Sequence, residues 1–240
     1  MIVYAAYPLG ETRVQREAEV LLKHGYEVDV ICMRWAGENK LDDYKGVKIF
    51  REKYQLPRLF LKAGGLGQKF LNYLRFFLSA AIRVTHLHFQ KHYSTIQVHN
   101  LPDFLVFCAL IPKMMGVKII LDLHDLMPEF FVGRFGKINS FGARLIRMQE
   151  RAACRFADHV ITVSEHWRQA LIQRGVPAEK CSVVMNVADD HIFCPGNGDQ
   201  PHTQPHKGFR LIYHGSMHKR YGLDLAVEAV HRLRHEIPEI

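Results

Sequence analysis

From Lys53 to Pro102 the sequence contains no aspartate or glutamate, although Lys53, Arg58, Lys62, Lys69, Arg75, Arg83 and Lys91 all fall there. A stretch of one sign favours phosphates or an anionic membrane surface as its counterpart. Aromatic residues in it lie on an apolar face instead of alternating with the cations, so a base-stacking groove for nucleic acid is not expected. There is no Cys-x-x-Cys pair. The five cysteines (Cys32, Cys108, Cys154, Cys181, Cys194) are odd in number and scattered, which fits reduced thiols better than a disulfide framework. No G-x-G-x-x-G follows a strand pattern, which argues against a nicotinamide enzyme. The longest uncharged apolar run of the basic region, Phe76 to Ile82, falls far short of the roughly 20 residues that span a bilayer. No signal peptide is visible either, so the expectation is a cytosolic chain, touching a membrane at most peripherally.

What is present is an ordinary globular composition, 48% hydrophobic and 23% charged, with 32 Lys+Arg against 24 Asp+Glu. Short apolar runs alternate with helical spacings. Strands are expected at 2–7, 27–33, 47–50, 95–99, 117–123, 159–164 and 182–187. Helices are expected after Arg13, over about 67–88, over 103–115, over about 138–157 and over 165–174. Nearly continuous apolar strands separated by helices predict an α/β fold: a Rossmann-like parallel sheet with helices on both faces. Residues 194–208 hold three prolines and three glycines and no large apolar side chain, which predicts a linker. The chain then divides into a domain over 1–193, the linker over 194–208, and one further βα unit over 209–240. That last unit would open a second Rossmann-like domain and leave it truncated.

In parallel sheets of this kind ligands bind beyond the carboxyl ends of the strands. Two segments there carry chemistry. Arg13 and Arg16 sit in the first turn of the first helix, where backbone amides can meet an anion; a plain solvated basic turn is the alternative. In LDLHDLMPEFF (121–131), His124, Asp125 and Glu129 follow a buried strand directly, with Pro128 stiffening the loop. A histidine there can donate to a sugar hydroxyl or a phosphate, unless Asp125 merely caps a helix with His124 packed beside it. His99 nearby raises the question of a metal, but His-Asp without a third ligand at fixed spacing is weak, and none is expected. In FLNYLRFFLSAAI (70–82), Phe70, Leu71, Leu74, Phe77, Leu78, Ala81 and Ile82 share one helical face, extended by Tyr73 and Phe76. Asn72, Arg75, Ser79 and Arg83 lie opposite. The stripe covers the sheet or, with Lys62, Lys69, Arg75 and Arg83 facing it, touches a membrane.

Taken in order, these segments resemble glycosyltransferase family four, retaining enzymes of the GT-B fold. RVQREAEVLLKHGYEVDVIC (13–32) resembles the family's first helix and second strand. VHNLPD (98–103) and LDLHDLMPEFF (121–131) resemble its two cleft loops, and ERAACRFADHVITVSEHWRQAL (150–171) its helix–strand–helix signature. MNVADDHIFCP (185–195) resembles its interdomain crossover, with Val187 where glycine is usual. HGSMHKRYGLDLAVEAV (214–230) resembles the opening of the donor domain. The resemblance implies an acceptor-side domain followed by a nucleotide-sugar domain. It places Gly215, Ser216 and Arg220 at the donor diphosphate, His124 at the transferred sugar, and Arg13, His99, Asn100, Asp125 and Glu129 around the cleft. It implies transfer with retention to a glycan or polyprenyl-linked acceptor, in bacterial surface-polysaccharide assembly, with no metal or other cofactor. The paired glutamates that grip the donor would lie beyond residue 240, so the chain alone is expected to be inactive. A non-catalytic glycan- or lipid-binding module, or one subunit of a split transferase, is the alternative.

Overall fold

The computed structural model of the protein describes residues 1–54, 66–135, 141–187, 211–215, 217, 221–234 and 236–237. It separates into two compact units, Met1–Asn186 and Val187–Ile240. The segment expected as a linker lies outside the described residues.

The first unit opens with Ile2, which bridges Ile31 on one side and Val98 on the other. The expected strand over 2–7 is reduced to this stitch, yet it joins two sheets. On one side β1 (Asp29–Met33) pairs in parallel with β3 (Val47–Glu52), and β3 pairs antiparallel with β2 (Leu41–Tyr44). On the other, β4 (Thr95–His99), β5 (Lys118–Leu123), β6 (His159–Thr162) and β7 (Cys181–Val183) run parallel in that order. β2 was not expected from the sequence, because LDDY is polar and its first three residues are exposed. Its signal is the Lys45-Gly46 pair, both at positive φ, a two-residue hairpin turn for which glycine is suited.

Side chains alternate across the sheet. Val30 and Cys32 of β1 join Val14 and Ala18 of α1 (Thr12–Lys23) in one core, and Ile31 and Met33 face the other. That second core is covered by a layer of helices. It comprises α2 (Leu66–Lys91), a 3-10 turn (Asp103–Ala109) running into α3 (Leu110–Met114), α5 (Phe141–Phe156) and α6 (Glu165–Gln173). α6 starts at Ser164, whose hydroxyl accepts from the Trp167 amide at 3.3 Å, an ordinary N-cap. α4 (Met127–Phe135) was not expected from the sequence; it sets Pro128 and Glu129 in a helical first turn, which tolerates proline, instead of a loop.

The α2 face is a correction. Phe76, Ala80, Val84 and Leu87 meet the core, whereas Phe70, Leu74, Leu78 and Ile82 of the expected stripe are exposed. Both stripes are apolar. Each carries an alanine, Ala80 in one and Ala81 in the other, and the stripe with Phe76, Val84 and Leu87 takes the buried position.

The four described thiols, Cys32, Cys108, Cys154 and Cys181, are buried and free, so they behave as small core residues. In the second unit α7 (Leu223–Leu233) follows Gly222, which has φ of 69°, and forms where a helix was expected. Residues 211–214, expected as strand, carry no strand pairing. No helix among the described residues is long and apolar enough to cross a membrane.

Candidate functional site

Parallel pairing of β4 with β5 sets His99 level with Asp122, one residue before the end of β5. Neighbouring Leu121 and Leu123 face the helix layer, so Asp122 points the other way, toward α1, together with Gln97 and His99. α1 answers with Arg13 and Glu17, one turn apart. Arg13 grips Asp122 with both arms, Nε to Oδ2 at 2.9 Å and Nη2 to Oδ1 at 3.0 Å. Its Nη1 donates to the Val184 carbonyl at 2.8 Å and to Asn186 Oδ1 at 3.0 Å. The guanidinium is therefore bonded within the protein, and a plain solvated turn is excluded for Arg13. Asp122 and Glu17 were missed as site residues. The available signal was a lone acid inside the apolar run VKIILDL, which a buried strand admits only with a partner.

His99 Nδ1 lies 3.2 Å from Asp122 Oδ2 and 3.1 Å from His124 Nε2, and His124 Nε2 lies 3.5 Å from the same carboxylate oxygen. His124 Nδ1 is on the other side, 3.8 Å from Glu11 Oε1. Gln97 Nε2 bridges the acids, donating to Glu17 at 2.7 Å and to Asp122 at 3.3 Å. Burial works against the charge on Asp122, but hydrogen bonds from His124, His99 and Arg13 outweigh it and hold its carboxyl well below the usual range. Burial pushes His99 down to about 4 despite Asp122. Burial, then the charge of Asp122, push Glu17 up to about 7 against the pull of Arg13. A proton on Glu17 removes one negative charge from a pocket that already buries Asp122.

These shifts have opposite consequences for stability. Glu17 is raised on folding, so its contribution is full below about 4.5 and is lost as pH rises through about 7. His99 is depressed, so its contribution is full above about 6.5 and is lost as pH falls toward about 4. Glu17→Gln should therefore stabilise the fold by about 1–3 kcal/mol at pH 8, with the gain shrinking steadily below pH 7. Urea unfolding across pH checks this; a gain independent of pH would show that Glu17 is ionised throughout.

Asn100 holds the loop that carries His124. Its Oδ1 accepts from the His124 amide at 2.7 Å and the Asp125 amide at 3.4 Å, while its Nδ2 donates to Asp103 at 3.0 Å and the Asp125 carbonyl at 2.6 Å. Asp103 is itself buried, and burial pushes it up to about 7. Asp125 projects into solvent beside this clamp. Glu129 does not join the histidines; it pairs with Arg174, which also takes both oxygens of buried Glu150 at 2.9 Å. Of the residues expected to face a membrane, Lys69 is exposed and Arg75 half-buried, whereas Arg83 turns back onto Glu52 at 2.6 Å. Lys62, Ser216 and Arg220 lie outside the described residues; Gly215 is described, in the second unit.

Ligand atoms of His99, Asp122 and His124 lie within 4.8 Å of one another, close enough in principle for a metal ion. Both Asp122 oxygens already accept from Arg13, and a divalent cation there would sit against a buried guanidinium. The donor set suits proton-bearing hydrogen bonds.

A polar cluster at the carboxyl ends of β4 and β5, in a parallel sheet layered with helices, defines a Rossmann-like domain of the kind that glycosyltransferases carry. Sucrose-phosphate synthase of Thermosynechococcus elongatus shares the fold with a TM-score of 0.58 at 16% identity, over 81% of this chain and 50% of that one. Os79 of O. sativa, solved with UDP and deoxynivalenol-3-glucoside, shares it with a TM-score of 0.52 at 10% identity, over 82% of this chain and 55% of that one. The sequence profile of Glycosyltransferase Family 4 matches residues 10–192, and the chain belongs to that family. The colanic acid biosynthesis glycosyl transferase WcaI of Escherichia coli K12 is 26% identical over an alignment of 148 residues that covers 55% of this chain and 35% of that protein.

Proposed function

We propose that the chain is the acceptor-side part of a transferase that moves a sugar from a nucleotide-sugar donor to a glycan or polyprenyl-linked acceptor, with retention, in bacterial surface-polysaccharide assembly. The observation that carries the reading is the position of His124: it follows β5 directly, its loop is clamped by Asn100, and its ring is held by Asp122 and His99. A ring so fixed costs little further ordering when it meets the transferred sugar. Family membership supports the donor class, and the likeness to WcaI supports the polysaccharide context. In this reading Gly215, Ser216 and Arg220 hold the donor diphosphate, a guanidinium being suited to the charge that develops as the sugar leaves. No metal or other cofactor is required. The exposed apolar stripe of α2, with Lys69 beside it, would place the protein peripherally on the cytoplasmic face of a membrane, near a lipid-linked acceptor. The deciding experiment is a screen of nucleotide sugars against a membrane extract, with the product of the whole gene as the enzyme. Release of nucleoside diphosphate together with an α-configured product from an α-linked donor is expected. Inversion at that carbon would reject the retaining mechanism, and absence of any glycosylated product would reject the transferase.

A further inference from the structure

On α5 the residues that meet the core are small or polar: Ala143, Glu150, Ala153 and Cys154. At about 100° per residue, Phe141, Leu145 and Met148 fall in a stripe on the opposite side. They are 83%, 50% and 64% exposed. A surface helix ordinarily turns its large apolar residues inward, so this one is inverted. Arg144, Arg151 and Arg155 form a second exposed stripe beside the first. The single carboxylate of the helix, Glu150, is buried on Arg174 and offsets none of them. Arg151 and Arg155 continue into a cavity of about 510 Å³ that Arg174 and Lys180 also line, and to which no carboxylate contributes. Burial, with Lys113 and Arg155 among its neighbours, lowers the Lys180 amine against the opposing pull of Cys154 and Asp158. α2 lies in the same helix layer, packed against the same 3-10 turn as α5; it buries Phe76, Val84 and Leu87 but also turns Phe70, Leu74, Leu78 and Ile82 outward.

We infer that α5 is a docking surface for an anionic lipid bilayer, with Phe141, Leu145 and Met148 entering the headgroup region and Arg144, Arg151, Arg155 and Lys180 taking lipid phosphates. Apolar side chains flanked by cations are what such an interface requires, and neither component alone anchors firmly. A second copy of this chain would bring arginine to arginine if the same stripes met. The inference extends the membrane placement proposed for α2, but is read out separately from it and from the transferase reading.

The test is co-sedimentation of the 240-residue chain with vesicles of phosphatidylcholine, with and without phosphatidylglycerol. Two α5 variants are compared, Phe141→Ser/Leu145→Ser/Met148→Ser and Arg144→Gln/Arg151→Gln/Arg155→Gln, with Leu74→Ser/Leu78→Ser/Ile82→Ser on α2 as the third. The wild type should bind only the anionic vesicles, and high salt should weaken it. Each α5 variant should lose at least tenfold in apparent affinity while its circular-dichroism spectrum and urea midpoint hold. Loss in the α2 variant alone, or no binding by the wild type, overturns the inference. So does a dimer in light scattering that the serine variant dissociates without effect on vesicles. Binding of inorganic pyrophosphate that the arginine variant abolishes, with vesicle binding unchanged, would mark a free-anion site and overturn it as well. None of these outcomes depends on sugar transfer, which the donor screen scores.

Discussion

Replacing Arg13 by methionine is expected to cost the first unit about 3–5 kcal/mol, because it leaves the Asp122 carboxylate buried without its counter-charge. Asp122 is fully buried, so water cannot substitute for the guanidinium. The acid would be driven to take a proton, so the loss should be largest at neutral pH and smaller in acid. Denaturant unfolding at pH 7 and pH 5 measures both. Combining Arg13→Met with Asp122→Leu should recover much of the loss, since an apolar pair of similar volume need not be worse than a buried ion pair. If the double variant were as unstable as the sum of the two single ones, the pair would be acting independently, and the ion-pair account would be wrong.

The second large effect concerns turnover. In the product of the whole gene, once its donor is known, His124→Ala should lower kcat by on the order of a hundredfold, as loss of a positioned donor does. Folding should be little affected, because the ring is only partly buried and the loop is held through its backbone by Asn100. Asn100→Ala should resemble it in turnover but, unlike it, should also destabilise the fold, because it removes the clamp itself. A His124 variant that melts early with unchanged turnover per folded molecule would make the residue a packing histidine.

The alternation of strands and helices was legible because strands buried on both faces read as unbroken apolar runs. β2 was not, since an exposed edge strand such as LDDY carries no hydrophobic period. On α2 the spacing revealed apolar stripes but not which of them meets the core, because spacing along one helix carries no information on what packs against it. His124 could be found from its place after a strand, and His99 and Asn100 from the likeness of VHNLPD (98–103) to the family's cleft loop. Their dependence on Asp122 and Glu17 could not, because register between β4 and β5 is a long-range property: the level pairing of His99 with Asp122 appears only once the strands are aligned. Arg13 was found from its place in a basic first turn. A basic first turn suggests an incoming anion, and here the anion is a side chain of the protein itself.

Arg13 also has a kinetic consequence. Beyond the local pair with Glu17, its partners stand 109, 171 and 173 residues further along the chain. These contacts close only when the segments bearing Asp122 and Asn186 are aligned with α1, and closing loops of that length costs entropy, so they are expected to complete late in folding. Their strength should be felt in how slowly the unit comes apart, with little influence on how fast it assembles. In a chevron experiment the Arg13→Met variant should shift the unfolding limb and leave the folding limb nearly in place.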